Sequence, residues 1–313
     1  MLRCVLRDVN GKQIIMPRLL SLRVDIDEGV PADSVYAVFP DMKTEELAGI
    51  TLYDGDVPVF VGIVDEEEHE RDERGEYLKV SARSLAAHLL DNEAAPGSFD
   101  HPSLSLIAER YVKPFGIRLN SGGDAVYFGE QSITKGSSCW RVLKSFCIAC
   151  YSAAPRISSV GELFPKGIQR DEVTVFGRGG FRYTALREIR KRCEEISAVY
   201  VKTDHAGSYT LPVENTRAKE RGVRRTRYLN AALTESPMRC ADAMIANGSA
   251  KAYAIRLCCP CCLLGREGTR AVLDDSASGK TDDLYISAVH YRITDDGEYS
   301  DVTLKRRMTD VDQ

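Results

Sequence analysis

Hydrophobic and polar residues alternate along most of the first ninety positions, and turn-forming pairs interrupt the alternation at intervals. Leu2 to Arg7 runs into Asn10-Gly11. Leu20, Leu22, Val24 and Ile26 alternate with polar partners, and Ile50 to Tyr53 meets Asp54-Gly55 before Val57 to Val64. Period-two alternation ending at Asn-Gly or Asp-Gly predicts antiparallel hairpins with one buried face. Asp65 to Glu76 is heavily charged, as expected of a solvated hairpin tip whose charges discourage edge-to-edge association. A short helix over 85–90 closes this section.

The period then changes. Ser103 can cap a helix that places Leu104, Ile107, Ala108 and Tyr111 on one face, with Pro114 past its end. A second helix begins near Ser137-Ser138 and carries Trp140, Leu143, Cys147 and Cys150 as a stripe. Pro155 to Ile157 and Gly161 to Phe164 suggest a small hairpin. From Asp171 the strand pattern returns around two helices, one over 185–193 with Leu186, Ile189 and Cys193 on one side. The other is opened by Pro237, faces inward through Met238, Ala241, Met244 and Ile245, and ends at Asn247-Gly248. Ser197 to Lys202 and Tyr209 to Val213 form a hairpin about a turn at Asp204 to Gly207. Further strands are expected over 251–264, 271–273 and 284–293.

Two hairpin strands share their letters. Gly75-Glu76-Tyr77-Leu78-Lys79-Val80-Ser81-Ala82-Arg83 and Gly297-Glu298-Tyr299-Ser300-Asp301-Val302-Thr303-Leu304-Lys305 match at Gly, Glu, Tyr and Val, then at a hydroxyl and a cation. A repeated element closing both halves suggests two copies of one β-domain. Val64 lies eleven residues before its glycine and Val289 eight before its own, which predicts that the first hairpin tip projects further. The expected class is α+β, mainly antiparallel β. Residues 1–95 form a first β-domain, 96–172 an inserted α/β subdomain, and 173–313 a second β-domain with helices near 185–193 and 237–247.

Composition narrows the function. At 313 residues the chain exceeds what one core usually serves. A net charge of -4 argues against binding driven by phosphate neutralisation. No apolar run reaches the roughly 18 residues of a membrane span, and the N-terminus lacks a signal-peptide pattern. The expectation is a chain assembled in cytosol without membrane insertion, its ten cysteines reduced.

The candidate chemistry is thin. Cys258-Cys259-Pro260-Cys261-Cys262 could offer thiolates to a metal, but neighbouring strand residues point to opposite faces and no second thiol pair lies at finger spacing. A metal- or thiol-dependent binding module centred there is the alternative reading, with bound zinc or iron as its test. Cys147 and Cys150 lie far from a helix N-terminus, where a redox pair would sit. Gly279-Lys280-Thr281 lacks the upstream glycine of a phosphate loop, Asp274 standing in its place. Gly177-Arg178-Gly179-Gly180 is a turn without a dinucleotide fingerprint, and the histidines are scattered. A peptidoglycan hydrolase would need paired carboxylates or zinc histidines in one segment. No catalytic, cofactor-binding or metal-ligating residue is assigned, no cofactor is expected, and the chain reads as a non-enzyme. The basic run Arg217, Lys219, Arg221, Arg224, Arg225 and Arg227 could orient an acidic partner surface.

Val59-Phe60-Val61-Gly62-Ile63-Val64-Asp65, followed by a charged hairpin and the run from Ser81 to Ala94, resembles phage tail baseplate hub proteins of the late control protein D type, with relatives in contractile bacteriocins. His101-Pro102-Ser103, Tyr111 through Pro114-Phe115-Gly116-Ile117, and Gly136 to Leu143 with Phe146 fit in the same order. The resemblance implies two tail-tube-like β-barrel domains per chain and a homotrimer that forms a pseudo-hexameric ring. It also implies as partners the tail tube protein, the central spike protein, the tape measure protein and other baseplate proteins, with DNA only passing through the lumen. The expected location is the virion tail baseplate, assembled in host cytoplasm. For such a hub the chain is short, which implies a minimal version.

Overall fold

The computed structural model describes residues 2–120, 123–202, 208–230, 236–277 and 279–306. The first section holds β1 (Leu2–Asp8), β2 (Gln13–Ile15), β3 (Ser21–Asp27), β4 (Ser34–Pro40), β5 (Leu47–Asp54), β6 (Val57–Asp72) and β7 (Gly75–Ser84). There follow α1 (Ala87–Asp91), β8 (Gly97–Asp100), α2 (Leu104–Tyr111), β9 (Arg118–Leu119), β10 (Glu130–Ile133), α3 (Cys139–Tyr151), β11 (Arg156–Ile157) and β12 (Glu162–Phe164). The last section holds β13 (Arg170–Gly177), β14 (Ala185–Arg190), β15 (Ala198–Lys202), β16 (Tyr209–Glu214), α4 (Thr216–Glu220), β17 (Thr226–Asn230), α5 (Pro237–Ala252), β18 (Tyr253–Cys259), β19 (Thr269–Asp275), β20 (Gly279–Thr294) and β21 (Gly297–Arg306). The fold is mainly antiparallel β, as the alternation predicts.

One 13-stranded sheet runs through both halves in the order β14-β18-β21-β20-β3-β4-β7-β6-β5-β1-β2, with β19 bonded to β20 and β13 to β19. Its ends, β2 and β14, do not pair with each other among the described residues. Within this path each half repeats one arrangement. The first half runs β1-β5-β6-β7-β4-β3, and the second runs β13-β19-β20-β21-β18-β14, corresponding strands also following the same chain order. They differ in one polarity: β1 is antiparallel to β5, whereas β13 is parallel to β19.

The letter repeat is the densest part of this duplication. β6 and β20 both have 16 residues, and β7 and β21 both have 10. Both hairpins turn at a glycine in left-handed backbone, Gly75 at φ 146° and Gly297 at φ 118°, where a side chain would be strained. Each ladder slips at the same place: between Val64 and Glu66 opposite Ala82 and Ser81, and between Ile286 and Ala288 opposite Leu304 and Thr303. Such a bulge adds one residue and sharpens the local twist. The partner of Val64 is therefore Ile286, not Val289, and the two hairpins have equal length. The expectation of a longer first tip is overturned, because it matched two valines by identity across a strand whose register the bulge sets.

The halves share a core. Leu22, Val24 and Ile26 of β3 and Val80 and Leu78 of β7 belong to one buried cluster with Val289 and Tyr291 of β20, Val302 and Leu304 of β21, and Leu257 of β18. β3 bonds directly to β20, from Ala288 opposite Asp27 to Ile293 opposite Leu22. A second cluster joins Leu89 to Leu104, Ile107, Tyr111, Val142, Leu143, Phe146 and Leu163, so α1, α2, α3 and β12 pack together. Ser103 and Ser138 cap α2 and α3 as expected, accepting bonds from the Leu106 and Arg141 amides. A third, small cluster packs α5 through Ala241 on Val199 and Val201 of β15. In the second half this unit occupies the connection between β14 and β18, whose counterpart in the first half spans only 28–33 between β3 and β4.

Three local expectations are corrected. The stretch expected as a helix over 185–193 is strand β14, antiparallel to β18 from Ala185 opposite Cys258 to Arg190 opposite Tyr253. It lies at the sheet end, mostly exposed, so no buried face imposed a readable period. Asn247-Gly248 does not end α5. Gly248 is buried in mid-helix, where a Cβ would lie 2.7 Å from the Glu194 carbonyl oxygen, so a close backbone approach rather than a cap requires the glycine. The strand expected over 251–264 is confined to β18, because Pro260 removes a ladder donor. The turn expected at Asp204 to Gly207 lies outside the described residues, apart from its flanking strands β15 and β16.

Candidate functional site

Cys259 belongs to the shared core with Cys261 and Cys262 packed against it, whereas Cys258 does not. Cys259 is fully buried opposite Ser300 of β21, and Cys258 is opposite Asp301. The Ser300 hydroxyl donates to the Cys261 carbonyl at 2.7 Å and accepts from the Leu263 amide at 3.0 Å, fixing the chain as it leaves β18. Burial pushes the Cys259 thiol up to about 12 and the Cys262 thiol up to about 11. These thiols are held in their neutral, packing form. Among the described residues no three His, Cys, Asp or Glu side chains gather around one point where a metal could sit. Cys147 is likewise fully buried on α3, its thiol raised by burial. Gly279-Lys280-Thr281 opens β20 opposite Asp275, Asp274 and Leu273, in ladder rather than loop geometry.

The basic run spans α4, the turn after it and the start of β17. Arg221 pairs with the buried Glu195 at 2.7 Å, Arg225 donates to the Glu195 carbonyl, and Lys219 pairs with Glu214. It borders an open cleft lined by Arg190, Arg217, Arg221, Glu214, Asp242 and Tyr253, so both signs of charge face it. Part of the run is thereby used in holding its own subunit together.

Among the described residues, the outer half of β6 and strand β14 each have an edge without a partner strand. β6 pairs with β5 only as far as Ile63 opposite Gly49, whereas its ladder with β7 continues to Asp72. The outer half of β6 therefore has one side without a partner strand among the described residues, and that half reads Glu66, Glu67, Glu68, His69, Glu70, Arg71. Lys79 on β7 pairs with Glu70 at 2.6 Å and Glu68 at 3.4 Å. β14 is bonded to β18 alone among the described residues, with Arg187 and Arg190 exposed and Lys191 following. Here Glu188 pairs with Arg190 at 2.7 Å, which holds its carboxyl below the usual range.

A buried ionic tie, invisible to motif reading, joins the helical section to the first half. Arg156 of β11 forms an ion pair with Asp33, the two side chains 5% and 0% exposed. Arg156 also donates to the Val30 and Pro31 carbonyls at 2.8 and 3.0 Å. Nearby, the Ser159 hydroxyl donates to the Val59 carbonyl at 2.9 Å, and the Val61 amide donates to the Ser159 carbonyl at 2.8 Å. Burial pushes the Asp33 carboxyl up to about 7, against the opposing pull of Arg156, and burial also raises Glu267 behind it. A carboxyl raised on folding binds its proton more tightly in the folded state. Its contribution is full below the ordinary carboxylate range and is lost as pH rises through about 7. Denaturant titrations from acid to mildly alkaline pH should show this decline in the wild type. It should be shallower in Asp33→Asn, and equal slopes would contradict it.

No protein-family model and no curated protein matches the chain. Solved structures do match it. A tail protein from Neisseria meningitidis is similar at a TM-score of 0.75 and 16% identity, over 97% of this chain and 96% of that one. The 43 kDa tail protein of prophage MuSo2 from Shewanella oneidensis is similar at a TM-score of 0.77 and 17% identity, over 98% of both chains. An E. coli type VI secretion component, itself structurally similar to T4 bacteriophage tail proteins gp27 and gp5, matches at a TM-score of 0.55 and 8% identity, over 93% of this chain and 74% of that one. The fold of this chain is the fold of phage tail proteins and of tail-like components of type VI secretion.

Proposed function

We propose that the chain is the structural baseplate hub of a phage or phage-like tail. The observation that carries this reading is the doubled strand order, β1-β5-β6-β7-β4-β3 and β13-β19-β20-β21-β18-β14, within one chain. A threefold assembly meets a sixfold partner with near-equivalent contacts only if each chain offers two near-equivalent surfaces. Three copies, each with two tube-like barrel domains, supply six. In this reading residues 1–95 and 173–313 are the tube-like domains, and 96–172 is an insert on the ring's outside. The ring joins the tail tube to the central spike and leaves a channel for tape measure protein and DNA. Acidic groups lining that channel let DNA slide past, because like charge disfavours phosphate contact.

The role is structural, and the location is the tail baseplate of the particle. Native mass measurement of the full chain, alone and mixed with tube and spike proteins, tests it. The expected species is a trimer, alone or with either partner. A chain that stays monomeric at micromolar concentration with both partners present would remove the hub reading.

A further inference from the structure

The in-chain seam between the halves is one instance of a contact that the duplication offers twice. In the seam, β3 of the first half adds to the outer half of β20, pairing Ala288 with Asp27, Val289 with Ile26, His290 with Asp25, Tyr291 with Val24, Arg292 with Arg23, and Ile293 with Leu22. The counterpart of β3 in the second half is β14, which has no second neighbour among the described residues. The counterpart of the outer half of β20 is the outer half of β6, which lacks one as well. We infer that β14 of one chain adds antiparallel to the outer half of β6 of a second copy, repeating the seam between chains.

The correspondence fixes the register. The equal hairpins place Ala288 to Ile293 on Glu66 to Arg71. The ladders Ala82–Val35–Val24 and Leu304–Ile255–Glu188 place Leu22 to Asp27 on Leu186 to Lys191. Glu66 then faces Lys191, Glu67 faces Arg190, Glu68 faces Ile189, His69 faces Glu188, Glu70 faces Arg187, and Arg71 faces Leu186. Carboxylates meet cations at three of these positions, and an imidazole meets a carboxylate at a fourth. The register comes from backbone pairing alone, so the match of charges is independent of it.

The chemistry explains why the two versions differ. Inside the chain the seam is permanent, and its inward pairs Val289–Ile26 and Tyr291–Val24 are apolar. Between chains the edges must stay soluble before assembly, and charged residues on an open edge achieve that. The same charges select the partner. Two β6 edges would oppose acid to acid and two β14 edges cation to cation, whereas β14 on β6 pairs opposites. Because the two edges differ, the contact is head to tail and closes into a ring when its rotation repeats. The number of copies rests on the hub reading; the pairing of edges does not.

Charge reversal and a cysteine pair test the register in the full chain. Reversing one side (Glu66→Lys with Glu70→Arg, or Arg187→Glu with Lys191→Glu) should weaken self-assembly by roughly a hundredfold. Combining all four substitutions should restore it, because both edges then reverse together. Independently, Glu68→Cys with Ile189→Cys should give an oxidised link between isotopically distinct chains, identified by mass spectrometry of the joined peptides. Trimers that survive either one-sided reversal and carry no such link would overturn this contact while leaving the hub reading intact. A wild-type chain that never assembles, even with tube and spike proteins, would overturn both.

Discussion

Above about pH 7, replacing Arg156 with alanine should destabilise the chain by about 3–5 kcal/mol, because buried Asp33 must then stay charged without its partner or take up a proton against the bulk pH. Asp33 is fully buried and its second oxygen already lacks a hydrogen-bond partner, so once the guanidinium is removed only the Asp27 amide and a captured proton remain to satisfy it. The Val30 and Pro31 carbonyls lose their donor in the same step. These atoms lie on the β3–β4 connection, so the loss weakens the join between the helical section and the first half, leaving the Ser159 bonds to Val59 and Val61. Arg156→Met with Asp33→Leu should cost much less than Arg156→Ala, since removing both charges leaves no uncompensated ion. Urea denaturation of the three proteins decides this, and an Arg156→Ala loss below about 1 kcal/mol would show that the pair is solvated.

Tyr291→Ala should also cost about 3–5 kcal/mol, the range for a buried aromatic truncated in a core. Tyr291 has no exposed surface, belongs to the shared cluster, and stands opposite Val24 in the seam between the halves. Its hydroxyl donates to Glu298 at 2.7 Å, so Tyr291→Phe isolates the polar part, about 1 kcal/mol. The informative readout is cooperativity. Because residues of both halves fill one cluster, the two halves should lose structure in a single denaturant transition whose midpoint falls in Tyr291→Ala. Two separated transitions, with only the second half affected, would contradict a shared core.

How much of this could be read from sequence follows from what each residue feels. Leu22, Val24 and Ile26 alternate because one face is buried, and the hairpins at Asn10-Gly11 and Asp54-Gly55 show in their turn residues. The caps Ser103 and Ser138 were legible for the same local reason. β14 was not. An exposed edge strand has no buried face, and Arg187, Glu188 and Arg190 left only Leu186 and Ile189 to suggest a helical stripe. The extent of α5 past Gly248 depends on the Glu194 carbonyl, a contact distant from the helix's own pattern. The Asp33–Arg156 tie joins residues more than a hundred positions apart, and no local pattern marks it. The Gly-Glu-Tyr repeat was visible, but its equal hairpins were not, because a bulge at Asp65 and at Ser287 resets the alternation.

In the hub proposed above, two equivalent halves of one chain occupy equivalent places in a ring. A reconstruction of the purified assembly by electron microscopy, processed without imposed symmetry, tests it most directly. The expected map has threefold symmetry and six similar lobes, with the β6–β7 and β20–β21 hairpins related by about sixty degrees around the axis. A ring in which the two hairpins of each chain lie at unrelated radii or heights would contradict it.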